Sequence, residues 1–360
     1  MKSLAFTALV ASAIATASTI ATAHDFDPRW VGVERFATLP DGVRYPEGIT
    51  ANPATGDVFV ATFDFGPNLN KLMRFDHNGR LAAVRDFAGA PLLGLGFANG
   101  KVYILNMGAS KVQRIGADFD STTAVDTVAN IPSIGPPAER SVANPDTSAD
   151  TIKFGSTGFA APNAMTFDHA GNLYFSDSFQ GAIFRIDAAT SCSTPCAVAT
   201  VSHDPLLAAA GFPPFGANGL ALDAAETTLY IANTGDNRVL KMEVATKAVS
   251  VFAESLHGAD GLLMDPAGRL WVATNQADEV VALNTSGRVI VPRRHVRRHP
   301  SRRHAARTAV SGEHGDRRRL DVRDEPGATA HAGSRRRARG GRDALERRAF
   351  QGAAALTARE

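Results

Sequence analysis

Only two cysteines occur in the chain, Cys192 and Cys196, together in the segment SCSTPC. No histidine lies close enough to them to complete a zinc set, so a structural zinc module is a weak reading; a disulfide closing a small loop is the leading one, with free thiols as the alternative. Long apolar runs are also missing. After residue 23 no segment is apolar enough to cross a bilayer. The apolar stretch that does exist, Met1–Ala23, begins with Lys2 and ends in Ala21-Thr22-Ala23. That pattern is an export signal with cleavage before His24, and it places the protein in the periplasm or outside the cell.

A second absence sits near the other end. From Val291 onward there is no Ile, Asn, Lys, Tyr, Trp, Met or Cys, and the one Phe is Phe350. This stretch, 291–360, holds 19 Arg against 8 acidic residues, a net charge of +11 within an overall +2, so the remainder of the chain stands at −9. An acidic body gives no reason to invoke nucleic acid. The tail has neither strand alternation nor a sustained helical stripe, and a disordered Arg-rich tail is expected. Most of its missing residues (Ile, Asn, Lys, Tyr and Met) have AT-rich codons and its abundant ones GC-rich codons. The composition therefore fits a GC-rich gene read out of frame after residue 288; a genuine basic tail that meets an anionic surface is the rival reading.

Between these ends a unit recurs. Its clearest copy is Ala217–Val244, ANGLALDAAETTLYIANTGDNRVLKMEV, a succession of short strands and polar turns. Further copies are Pro46–Asp76, Leu92–Ile115, Pro162–Asp187 and Gly258–Asn284. Aligned on Phe59, Tyr103, Tyr174, Tyr230 and Trp271, they step by 44, 71, 56 and 41 residues. A repeat near 40–45 residues with three or four strands is that of a β-propeller blade. The long step comes from Gly116–Ala161, rich in Pro, Ser, Asp, Thr and Gly, which reads as an inserted loop. Ser202–Gly216 reads as a shorter insertion, and Val31–Thr38 as a strand that closes the ring. The expected fold is all-β. The expected organisation is an export signal at 1–23, a propeller at 24–290 and the tail at 291–360, with about five blades encoded.

One repeat position does not behave like packing. At the start of each first strand stand Glu47, Leu93, Asn163, Asn218 and Asp260, polar in four copies of five. First strands are innermost in a propeller, so these four side chains should converge on the central channel. Two carboxylates and two amides are hard oxygen donors, suited to Ca²⁺ first and to Mg²⁺ or Mn²⁺ besides. A cation held there would polarise a carbonyl and acidify a water, and a neighbouring carboxylate would serve as general base, which suits hydrolysis of an ester or lactone. Asn and Asp at strand starts also cap turns; the shared position is what argues against that plainer reading. His257, three residues before Asp260, could bind substrate at the mouth and shuttle protons, or simply stand in a surface turn. Asp177, Asp236 and Asn237 read as turn formers, Asp64 as either, and the five aromatics as core.

The motifs PEGI, PNAMTFD, ANGLALD and ADGLLMDPAGRLWVA resemble the SMP-30/gluconolactonase/LRE-like family of six-bladed propellers, over roughly Pro46–Arg288. That resemblance implies a Ca²⁺- or Zn²⁺-binding lactonase or esterase acting on a small molecule. It implies a metal held by Glu47, Asn218 and Asp260, with Asn163 touching metal or substrate and Asp260 as general base. The arginine often found near the channel in sugar-lactone members has no identifiable counterpart. Two other readings share the architecture: a non-catalytic, NHL-like propeller that binds a ligand or protein partner, and a strictosidine-synthase-like propeller, for which no catalytic Glu is evident.

Overall fold

The computed structural model describes residues 35–66, 70–154 and 159–295, the last five by backbone alone. The export signal and the tail beyond 295 lie outside the described residues. Five four-stranded antiparallel sheets follow one another, each a simple meander in chain order. The first holds β1 (Pro46–Ala51), β2 (Val58–Thr62), β3 (Lys71–Phe75) and β4 (Leu81–Asp86). The second holds β5 (Leu92–Ala98), β6 (Lys101–Asn106), β7 (Lys111–Gly116) and β8 (Asp126–Asn130). An exposed hairpin follows, β9 (Arg140–Ala143) and β10 (Ala149–Ile152). The third sheet is β11 (Pro162–Phe167), β12 (Leu173–Asp177), β13 (Ala182–Ile186) and β14 (Ala199–Ser202). The fourth is β15 (Ala217–Leu222), β16 (Thr228–Asn233), β17 (Arg238–Glu243) and β18 (Val249–Glu254). The fifth is β19 (Ala259–Met264), β20 (Leu270–Thr274), β21 (Glu279–Leu283) and β22 (Val289–His295).

The sheets form a β-propeller, with first strands inward: β1 packs on β5, β5 on β11, β11 on β15 and β15 on β19. Among the described residues, β19 and β1 share no comparable contact. The arc is thus continuous from the first sheet to the fifth, and among the described residues no contact of that extent joins β19 of the fifth sheet to β1 of the first.

Four apolar layers hold the sheets together, and the repeat's aromatics explain them. Phe59 of the first sheet packs with Leu92, Leu95 and Ile104 of the second. Tyr103 packs with Leu173 and Phe175 of the third, and Tyr174 with Leu229 and Ile231 of the fourth. Tyr230 lies against Leu262, Leu270 and Val272 of the fifth. Strand alternation thus sends one face of each sheet into its successor, and burial of a large aromatic at each joint contributes several kcal/mol, about 25 cal/mol per Å² of apolar surface. Phe59 and Tyr103 are fully buried, whereas Tyr230 and Trp271 are only half-buried. Trp271 occupies the same register on the last sheet, where its Nε1 donates to Asp265 Oδ2 at 2.9 Å.

Three expectations need correction. Residues 35–38, the described part of the supposed closing strand, form no strand; residues 31–34 lie outside the description. Instead Ala37, Leu39 and Val43 lie over Met73 and Phe75, covering the face of the first sheet that no preceding sheet covers. The segment Gly116–Ala161 is not one loop: it supplies β8, the outer strand of the second sheet, and the β9–β10 hairpin. The last strand continues to His295, past residue 290. The Cys192–Cys196 disulfide is present, with Cα atoms 5.9 Å apart.

Candidate functional site

Each innermost strand carries a β-bulge at the same place. The register breaks between Pro46 and Ile49, Leu92 and Leu95, Pro162 and Met165, Ala217 and Leu220, and Ala259 and Leu262. The residues inside the breaks are Glu47, Leu93, Asn163, Asn218 and Asp260, each with the small residue that follows it. A bulge turns a side chain out of the alternation that would bury it in a layer between sheets. That is why this position alone escapes the apolar code.

The small residue after each of them has its own reason. A Cβ on Gly48 would collide with the Leu93 carbonyl oxygen, one on Gly94 with Asn163 O, and one on Gly219 with Asp260 O. Ala164 stands at the third position, where Ser176 accepts from its N–H at 3.0 Å and donates to Asn218 O at 2.7 Å. The candidate positions therefore lie backbone against backbone from sheet to sheet, in the order 47, 93, 163, 218, 260. At Gly261 an added Cβ would meet, among the described residues, only Ala273 of its own sheet, at 3.8 Å.

The two asparagines are oriented by hydroxyls. Asn163 Nδ2 donates to Ser178 Oγ at 2.9 Å, and Asn218 Nδ2 donates to Thr234 Oγ1 at 2.9 Å. Each hydroxyl passes its own proton to the next sheet, Ser178 to Ala217 O and Thr234 to Ala259 O, both at 2.7 Å. A hydroxyl whose proton is committed can only accept, so the amide nitrogen must face it. The amide oxygens are left over. Neither Oδ1 accepts a hydrogen bond among the described residues, although Asn163 and Asn218 are 7% and 5% exposed. In the fifth sheet Asn275 takes the place of the hydroxyl and donates to Asp260 Oδ2 at 3.0 Å. Glu47 and Asp260 are half-buried.

Ser178, Thr234 and Asn275 each stand one residue beyond the second strand of their sheet and 15 or 16 residues after the side chain they hold. Sequence reading missed them, since Ser, Thr and Asn in a hairpin are ordinary turn formers. The constant spacing was the available signal.

The other candidates separate from this set. Asp177 is wholly buried and accepts from the N–H groups of Ala161, Phe179 and Gln180 and from Gln180 Nε2. Burial pushes its carboxyl above the ordinary range against the pull of those donors, Gln180 foremost. Asp236 Oδ1 takes the N–H groups of Ala210 and Gly211, and Asn237 Oδ1 takes that of Gly258. Asp236 and Asn237 stand in the turn after β16 but tie down backbone from other loops, and Asp177 ends β12, so the expectation of simple turn formers is too narrow. Asp64 caps its loop through Gly66 N–H at 2.7 Å and approaches Arg44 at 3.4 Å. His257 is exposed in the turn before β19.

The donor set fits a hard cation. It offers two carboxylates and two amides whose nitrogens are tied back while their oxygens are spare. Among the described residues no group of three or more His, Cys, Asp or Glu is gathered, so any such site would depend on the amide oxygens.

A bulged, five-sheet propeller arc with an oxygen-lined inner position is the class these features define. Residues 215–301 match the family model described as SMP-30/Gluconolactonase/LRE-like region. That stretch takes in the fourth and fifth sheets with Asn218, His257 and Asp260, and the match is to the family its motifs resemble. Solved structures similar to this chain include the calcium-binding protein regucalcin from Agrobacterium tumefaciens, 19% identical over 70% of this chain and 74% of that one, TM-score 0.48. A luciferin-regenerating enzyme is 15% identical over 70% and 77%, TM-score 0.49. A candidate gluconolactonase is 17% identical over 70% and 78%, TM-score 0.48. No curated protein matches the chain.

Proposed function

We propose that this protein is an exported, metal-dependent hydrolase of a lactone or related ester. Glu47, Asn163, Asn218 and Asp260 would hold the cation, Ca²⁺ first among Ca²⁺, Zn²⁺, Mn²⁺ and Mg²⁺. The observation that carries the reading is the pair of tied amides: Ser178 and Thr234 fix Asn163 and Asn218 with their oxygens spare, beside the Asp260 backbone. That orientation presents both amide oxygens as acceptors, which a ligand role would use. The family match over 215–301 and the lactonase named in its description support the same class of substrate. The export assignment rests on the signal pattern at residues 1–23.

A bound cation would supply Lewis acidity at the substrate carbonyl and lower the pKa of a nearby water. The chain's own residues do the rest. Asp260, held through Oδ2 by Asn275, keeps Oδ1 to take the proton of the attacking water. Water oxygen bonds to the carbonyl carbon, the ring or ester C–O bond breaks, and the departing alkoxide receives the proton. The product from a lactone is a hydroxy acid. That acid ionises at neutral pH, and His257, in the turn leading into β19, is the candidate to relay the released proton outward.

A screen of lactones and esters with each of the four cations, and again with chelator, tests this reading. Turnover abolished by chelator and by Asp260→Ala supports it. A folded protein that hydrolyses nothing in the panel, or works equally well in chelator, overturns it. Export is read separately, from a mature N-terminus at His24 in mass spectrometry of secreted protein; retention of Met1–Ala23 would contradict it.

A further inference from the structure

The polar lining of the inner position is interrupted at the second sheet, between Glu47 and Asn163, and an apolar wall stands there. Where the other sheets pair Asn163 with Ser178, Asn218 with Thr234 and Asp260 with Asn275, the second sheet has Leu93 and Met107. Both are buried in one cluster with Ala161 and Phe179. Half-buried phenylalanines pack on that cluster from neighbouring loops. Phe63 occupies in the first sheet the position that Ser178 and Thr234 occupy in theirs, and its ring meets Phe65 edge to face at 4.8 Å. Phe215 stacks on Phe179 at 5.3 Å.

The loop between the third and fourth sheets extends this wall toward Asp260. Asp236 Oδ1 pins it by accepting from the N–H groups of Ala210 and Gly211, at 3.0 and 2.9 Å. The next residue is Phe212, 63% exposed, the most exposed large apolar side chain described. Its carbonyl accepts from Gln276 Nε2 at 3.2 Å, and Gln276 adjoins Asn275, the residue that holds Asp260. An exposed ring on a pinned loop beside the catalytic corner costs solvation, and packing within the fold does not require it.

We infer that the site takes a lactone or ester whose substituent is apolar, an alkyl or aryl group, and that Phe212 and Phe215 select for it. This rests on the hydrolase reading above and names its substrate class. Hydroxyls of a polyhydroxylated ring set against Phe63, Phe65, Phe212 and Phe215 would lose water and find no partner. An aryl or alkyl group there loses nothing and buries surface.

Three δ-lactones that share the reacting ring test it on the full chain with Ca²⁺: dihydrocoumarin, δ-valerolactone and glucono-δ-lactone, each rate divided by its uncatalysed rate. The expected kcat/KM for dihydrocoumarin exceeds both others by at least about tenfold. Phe215→Ala and the surface variant Phe212→Ala each lower it at least about tenfold more than they lower that for δ-valerolactone, chiefly through KM. A preference for glucono-δ-lactone, or equal losses on all three, overturns the inference and leaves the hydrolase reading standing. If no lactone turns over, the hydrolase reading fails by itself. Calorimetric binding of 3,4-dihydro-2-quinolinone, the lactam counterpart of dihydrocoumarin, then decides the inference. Binding weakened by Phe212→Ala supports an apolar subsite, and absence of binding overturns it.

Discussion

Thr234 holds Asn218 and, through the same hydroxyl, the residue before Asp260. Asn218 Nδ2 donates to Thr234 Oγ1 at 2.9 Å, and Thr234 donates to Ala259 O at 2.7 Å. One side chain therefore sets the amide of the fourth sheet and anchors the strand that carries the carboxylate of the fifth. Replacing it with the isosteric Thr234→Val strands a buried amide N–H and a buried carbonyl. The expected cost is about 1–3 kcal/mol of stability in denaturant titration. Cation affinity should fall about 10–100-fold, as for the loss of partners that orient ligands elsewhere. Thr234→Ser restores both, because only the hydroxyl is needed. Unchanged affinity in Thr234→Val would mean that Asn218 is not a ligand.

Gly219 and Gly261 stand at equivalent positions, yet only Gly219 is crossed by a following strand, at the Asp260 carbonyl. Gly219→Ala should cost about 1–3 kcal/mol by overpacking and displace Asp260, lowering kcat as well as Tm. Gly261→Ala, facing Ala273 at 3.8 Å, should change stability by less than about 0.5 kcal/mol. Equal effects at the two sites would contradict the observed sheet order.

The same asymmetry bears on the reading frame. If the gene is read out of frame after residue 288, the DNA downstream encodes a sixth repeat in another frame, including a small residue and an aromatic at the repeat spacing. A chain carrying that repeat should melt at higher temperature, and in it Gly261→Ala should become as costly as Gly219→Ala. Downstream DNA without such a repeat in any frame would show the Arg-rich sequence to be genuine.

Asp177 gives a pH signature. Its native pKa is raised, chiefly by burial. Between the unfolded value near 3.8 and that raised value the native state binds more protons than the unfolded state. The Asp177 contribution to stability is therefore greatest at low pH and declines as pH rises through the native pKa. That is opposite to the usual carboxylate. Subtracting the pH–stability curve of Asp177→Asn from that of the wild type should give a difference that falls with rising pH. A difference that rises with pH would mean the four N–H donors outweigh burial.

Much of this was legible in the sequence. Alternating apolar residues and a repeating aromatic located the strands, because a layer between sheets demands both. The polar residue at the head of each first strand stood out because a bulge releases that one position from packing. The anchors at Ser178, Thr234 and Asn275 were legible only in their constant spacing, since short polar residues in hairpins have a sufficient local explanation. The β9–β10 hairpin was missed because its strands are exposed on every described residue but Ile152, so burial leaves little pattern on them. The run Val31–Thr38 read as a strand from its apolar content; of it Ala37 lies over Met73 and Phe75, together with Leu39 and Val43 beyond its end.

Calcium binding followed by calorimetry, in wild type and in Asp260→Asn, tests the centre of the account most directly. One cation per chain is expected, with affinity reduced at least about tenfold in Asp260→Asn and reduced also in Asn163→Ala and Asn218→Ala. Binding that is absent from the folded wild-type protein for all four cations, or that all three substitutions leave untouched, would contradict it.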